Sequence, residues 1–189
     1  YRVEFVTRLS MTLSVPCLIF VALMNSQVSA AALTALSLAS LVAYAALKVV
    51  FCLMLRVTGL RMSTYLAPLI FGNTGNLGLP LALFAFGNEG LGYAVVVFAV
   101  MAILSFTVGI RMVAGQGSLL RLVQEPMVAG TVLGALFLWQ GWHTPAWLTN
   151  TLQLAGQLAI PLMLITLGVA VARLHPSDFV RPLILSILK

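Results

Sequence analysis

Charge is what this chain has least of. Ten Lys and Arg and four Asp and Glu amount to 7% of 189 residues, where soluble domains carry roughly 25%. So little polar surface cannot cover a soluble fold of this size, so that class is excluded. Cysteine is as sparse. Cys17 and Cys52 both fall in apolar stretches and read as small buried hydrophobes, without disulfide or metal-ligand spacing. His143 and His175 stand in loops with no second ligand at helical spacing. No metal site and no cofactor are expected. Paired aspartates, HExxH, GxSxG and a GKS/T phosphate loop are all missing, and Gly115-Gln116-Gly117 is a simple turn. An intramembrane enzyme is therefore not the expected reading.

The chain does have long apolar runs. It is 61% hydrophobic, with a mean hydropathy of +1.10. No Asp, Glu, Lys or Arg interrupts residues 9–47 or 126–172. A bilayer-spanning helix needs about 20 mostly apolar residues, so each run holds two spans and a turn. Six spans follow: A at 9–24, B at 30–55, C at 63–87, D at 92–112, E at 127–142 and F at 152–172. A seventh begins near 179 and is unfinished at Lys189. The chain starts at Tyr1 rather than Met, and no signal peptide is recognisable.

The scattered charges set an orientation. Arg2 and Arg8 precede A, Arg56 and Arg61 lie between B and C, Arg111 and Arg121 between D and E, Arg173 and Arg181 after F. The A–B, C–D and E–F turns carry no Lys or Arg. By the positive-inside rule the basic loops are cytoplasmic and A leaves the cytoplasm. Trp139, Trp142 and Trp147 gather at the E–F turn, where an outer aromatic belt would lie. The net charge of +6 comes from these single topology-setting residues and does not suggest nucleic acid as a partner.

Spans A and F are similar. Leu9, Leu13, Val15, Pro16, Leu18 and Ile19 match Leu154, Leu158, Ile160, Pro161, Met163 and Leu164 at one offset, 161 − 16 = 145. The two lie five spans apart and so cross the membrane in opposite senses, as inverted repeats of carriers do. Span C is interrupted. Gly72-Asn73-Thr74-Gly75-Asn76-Leu77-Gly78-Leu79-Pro80 places three glycines, two asparagines and a proline in mid-span. Pro80 removes a backbone donor and the glycines ease non-helical dihedrals, so the helix should open between Gly72 and Pro80. Freed backbone groups must then face protein or a wet cavity. A half-helix starting near Pro80 would turn its positive end toward the bilayer middle, and Asn73 and Asn76 add neutral donors and acceptors, a set suited to a carboxylate. The alternative is a kinked packing helix whose small residues Gly72, Thr74, Gly75 and Gly78 make close contacts.

Asn73-Thr74, Gly78 and Pro80-Leu81, continuing through Phe86-Gly87-Asn88, resemble the broken-helix motif of the auxin efflux carrier family. Residues 160–169, Ile-Pro-Leu-Met-Leu-Ile-Thr-Leu-Gly-Val, with Ala172-Arg173-Leu174, resemble the seventh span of its shorter, bacterial-type members. The resemblance covers nearly the whole chain. It implies an all-α polytopic membrane protein with an inverted-repeat carrier fold, ten spans when complete. In each five-span repeat the fourth span is broken at a proline, and the breaks cross at the substrate site. It implies transport of small organic anions such as carboxylates or auxin-like acids. On this mapping Asn73 is the substrate-contacting asparagine and Pro80 the crossover proline, with Thr74, Gly75 and Gly78 around them. Asn76 departs from the plant members, and its role rests on its chemistry alone. The short loop after D marks a bacterial-type member, expected in the cytoplasmic membrane as a multi-pass protein, with a homodimer as a further expectation. Residues 1–112 would be spans two to five of the first repeat, 113–126 a cytoplasmic loop and 127–189 the start of the second repeat. The chain is thus expected to be a fragment that does not transport in isolation.

Supporting roles stay open for several residues. Lys48, the only charge inside a span, either snorkels to the cytoplasmic edge or meets substrate. Gln153 and Gln157 on F, and Thr12 and Ser14 on A, either glue helices or contribute to the site. Pro16 and Pro161, matched mid-span prolines that each follow a polar stretch, are further candidates for a supporting role. Glu4, Glu89, Glu125 and Asp178 all lie at loops, so no buried acid for ion coupling is visible. A channel or structural membrane subunit is the competing function.

Overall fold

In a computed structural model, residues 3–26, 29–109 and 125–173 are described. Arg111, Arg121, His175 and the onset of the seventh span fall outside them. The described residues are mostly helical, without strands.

Span A comprises α1 (Val3–Leu9), a π-helical turn at Ser10–Ser14 and α2 (Val15–Met24). The helix starts six residues ahead of the expected Leu9, so Glu4 and Arg8 lie in its first two turns. Span B is α3 (Ala30–Thr58). Ser29 caps it by accepting from the Ala32 N–H at 3.2 Å, and Gly59 ends it in the left-handed region at φ 68°.

Spans C and D form one helical stretch, Met62–Gly109, of 48 residues, twice what a bilayer accommodates. It contains α4 (Met62–Ile70), a π-turn at Thr74–Gly78, α5 (Leu79–Leu104) and a final π-turn at Ser105–Gly109. Within α5, Gly87 has φ 64° and ψ −156°, a conformation open to glycine almost alone. The chain folds back there. Gly75 lies against Phe98, and Gly109 against Phe71, so the residues on either side of Gly87 run as an antiparallel pair. C and D are therefore two spans, turning where the sequence placed the turn.

Span E is α6 (Pro126–Gln140), ended by Gly141. At 15 residues its helix is about 22 Å long, short of the ~30 Å hydrocarbon core. Span F is α7 (Ala146–Gln157) followed by α8 (Ala159–Ala172), interrupted at Leu158 three residues before Pro161.

α2 is the centre of one group of helices. It packs on α6 and α7 with glycines at the contacts. A Cβ on Gly130 would come within 2.7 Å of the Pro16 carbonyl, one on Gly134 within 3.1 Å of Phe20 Cα, and one on Gly156 within 2.9 Å of the Leu18 nitrogen. Between membrane helices, such small-residue contacts replace the hydrophobic drive that lipid removes. α3 packs on α4 through a second apolar cluster, Phe51, Leu55, Leu66, Leu69 and Ile70, and it also contacts α5. The main core joins the two groups: Val15, Ile19, Leu79, Val95, Ala159 and Met163 are all fully buried. Leu38, Val42, Val49, Val50, Leu53 and Val57 on α3 stay exposed, as lipid-facing residues do. With its apolar helices the chain is an integral, multi-pass, all-α membrane protein.

Candidate functional site: a broken helix and an amide-lined cleft

α4 stops at Ile70, where the Phe71 N–H donates to the Ala67 carbonyl at 2.9 Å. Phe71 is extended, and regular structure resumes at Thr74. The new half-helix thus begins six residues before Pro80, the start expected from sequence. Asn73 explains the shift. Its Oδ1 accepts from the Asn76 N–H at 3.2 Å, and its carbonyl accepts from Leu77 and Gly78 at 3.2 and 3.3 Å. It is an N-cap, and this caps the positive end of the helix dipole at Asn73.

Pro80 acts upstream of itself. It has no N–H for the carbonyl four residues back, and its ring crowds that carbonyl. The chain widens instead, with the Leu79 N–H donating to the Thr74 carbonyl, five residues back. The same pattern precedes Pro16, where Val15 donates to the Ser10 carbonyl. Each π-turn ends two residues before its proline.

Both turns hold polar atoms without partners. Thr74 Oγ1, Asn76 Oδ1, Ser10 Oγ and Ser14 Oγ are buried and make no hydrogen bond. Asn73 itself is exposed, while Gly75 is buried against Phe98 Cε2 at 3.0 Å and Met163 Cε at 3.8 Å, measured from where its Cβ would be. On span A, Ser10 and Ser14 turn inward and Thr12 is exposed. Pro16 lies under Gly130 at the α2–α6 contact. Lys48 is exposed on α3, ten residues before its end at Thr58, or about 15 Å. Its neighbour one turn earlier, Tyr44, stacks near Phe71 with ring centroids 6.1 Å apart. Lys48 therefore stands near the level of the break.

Gln157 and Pro161 line something else: a cleft of about 1110 Å³. Gln153, Ile160 and Leu164 continue that wall, and Leu18, Val21 and Asn25 of α2 adjoin it. The opposite wall comes from α5, with Leu83, Phe84, Asn88, Glu89 and Tyr93. No residue from 73 to 80 lines it; Leu83, three positions after Pro80, is the first of α5 to do so. Ile160 lines the cleft, while Met163, three residues further along α8, touches Gly75. Leu79 at the break and Met163 on α8 are both fully buried. Sequence reasoning singled out Gln153 and Gln157 but left Asn25, Asn88 and Glu89 as turn residues. Their common signal is position, each standing at the end of a span on the side without arginine. Gly130 and Gly134 were also passed over, though their spacing of four is visible.

An all-helical membrane bundle with a capped, proline-broken span and unpartnered polar atoms in mid-chain has the architecture of a membrane carrier. The chain matches the family described as membrane transport protein over residues 2–120. It belongs to that family, the auxin efflux carrier family that the sequence motifs resemble. A curated relative, the uncharacterized transporter MJ1031 of Methanocaldococcus jannaschii, is 32% identical over 114 residues. The alignment covers 54% of this chain and 36% of that protein, so the chain spans about a third of the relative's length. No solved structure matches. The family is one of transporters, not of enzymes.

Proposed function

We propose that this chain is part of a secondary carrier that moves small organic anions such as carboxylates by alternating access, with Asn73, Thr74, Gly75, Asn76, Gly78 and Pro80 at the substrate. The observation that carries this reading is the capped break itself. Thr74 Oγ1 and Asn76 Oδ1 are buried there without partners, at the positive end of a half-helix. Unpaired buried polar groups are costly, and a substrate offers them partners. An anion also suits the dipole. Lys48, near the same level on α3, would supply a cation as the carboxylate arrives. Its register fits this role as well as it fits snorkelling.

Alternating access needs two bodies with a path between them. One group is fastened by glycine contacts around α2, α6 and α7. The other is α3, α4 and α5. The cleft lies between walls drawn from each. The matched prolines Pro16 and Pro161 favour the inverted-repeat reading, the family supports a place in a membrane, and the short loop after D favours the bacterial cytoplasmic membrane.

Uptake of a labelled carboxylate into proteoliposomes that hold the complete protein, of which this chain is a part, tests the reading. Asn73→Ala removes both the cap and the substrate contact, whereas Asn73→Ser keeps a capping oxygen. Both should lose saturable uptake by roughly 5- to 100-fold, the worth of about 1–3 kcal/mol. Only Asn73→Ala should also lower thermal stability. Full uptake by both variants would remove the break from the transport path.

A further inference from the structure

The cleft's two walls differ in chemistry. On one, Gln153 and Gln157 stand one turn apart on α7 and bring neutral amide donors. On the other, Glu89 is the one Asp, Glu, Lys or Arg among the described residues that line the cleft, and Phe84 and Tyr93 line the same wall. Phe84 is 72% exposed and Tyr93 39%. Leu18, Ile160 and Leu164 make an apolar floor.

A simple anion would meet a carboxylate in this cleft and no cation. A simple amine would leave the amide donors unused. One ligand class uses both walls. We infer that the cleft is a binding site for a small zwitterion, an α-amino acid with an apolar side chain. Its ammonium lies against Glu89 and the ring faces, where a cation gains from both charge and quadrupole. Its carboxylate takes N–H groups from Gln153 and Gln157. Its side chain covers the floor. The volume of about 1110 Å³ admits such a molecule with room for water. This goes beyond the carrier reading, because it assigns a second site, apart from the break at residues 73–80, with its own ligand class. It rests on that reading for transport but not for binding.

The test is equilibrium binding to the purified protein in lipid nanodiscs. Three probes of nearly one shape separate the arms: leucine, 4-methylpentanoate, which lacks the ammonium, and 3-methylbutylamine, which lacks the carboxylate. Leucine should bind at least tenfold more tightly than either. Glu89→Gln should weaken leucine about tenfold and leave 4-methylpentanoate unchanged or tighter. Glu89→Asp, which keeps the charge, should retain most of the leucine affinity and so separates charge loss from misfolding. Gln153→Leu with Gln157→Leu should weaken leucine and 4-methylpentanoate but not the amine. Equal affinity for leucine and either fragment overturns the assignment, as does leucine binding indifferent to Glu89→Gln. Should 4-methylpentanoate be taken up saturably while leucine does not bind, the zwitterion site falls and the carrier reading stands. Should leucine bind through Glu89 without any saturable uptake, the site stands and the carrier reading falls.

Discussion

Gly130 is a residue at which two backbones nearly touch. A Cβ added there would sit 2.7 Å from the Pro16 carbonyl oxygen and 3.1 Å from Pro16 Cα. Neither atom belongs to a flexible side chain that could give way, so α2 and α6 must move apart. Overpacking of this kind costs about 1–3 kcal/mol. Gly130→Ala should therefore lower the unfolding temperature measured on the detergent-solubilised protein. Gly168→Ala should not, because nothing lies within 4 Å of its Cβ position. Equal melting of the two variants would show that the α2–α6 contact is looser than described. Little of this was legible beforehand. Gly130 and Gly134 have the right spacing, but glycine pairs are common in membrane helices and the spacing names no partner. The glycines of residues 72–78 stood out because asparagines and a proline accompany them, and those are costly in lipid unless used. Glu89 was legible only as a turn residue, since its opposite wall lies more than sixty positions away in sequence.

Proline governs the next scale, that of the helix. The A and C helices each carry a π-turn that ends two residues before a proline, and F is interrupted at Leu158 before Pro161. A missing N–H and a crowded carbonyl follow from the residue type, and on that ground the sequence predicts the opening of C before Pro80, whereas Pro16 and Pro161 read there only as matched mid-span prolines. The start of the second half-helix was less legible. It depends on whether Asn73 or Pro80 sets the first turn, and a side-chain cap outcompeted the proline. If Pro80 holds the π-turn open, Pro80→Ala should return an N–H to the Asn76 carbonyl and let the turn tighten toward α-helix. The variant should melt at a temperature no lower than the parent and lose uptake severalfold, a trade of function for regularity. Loss of stability together with unchanged uptake would mean that the π-turn has another cause.

Across the described residues, composition and the spacing of arginines were enough for spans A to D and the turn between C and D, because these follow from the bilayer's thickness and charge. The grouping of helices was not legible that way. Which apolar face meets which is decided by shape, and lipid rewards every apolar face alike. In the structure the groups built on α2 and on α5 approach each other at the mouth of the cleft, where a Cβ on Gly92 would stand 4.0 Å from Ser26 Oγ. That distance brings a sulfur at either position within reach of the other by side-chain rotation, so Ser26→Cys with Gly92→Cys is the clamp to test. Cys17 and Cys52 are both reduced and half-buried and are best replaced by alanine first. Oxidation should then tie the two walls together and stop saturable uptake, reductant should restore it, and neither single-cysteine variant should respond. A carrier that alternates must move one wall against the other at each cycle. Should the oxidised double variant transport at the parent rate, the walls of the cleft would move as one body, and the division between the α2 and α5 groups would have no part in the cycle.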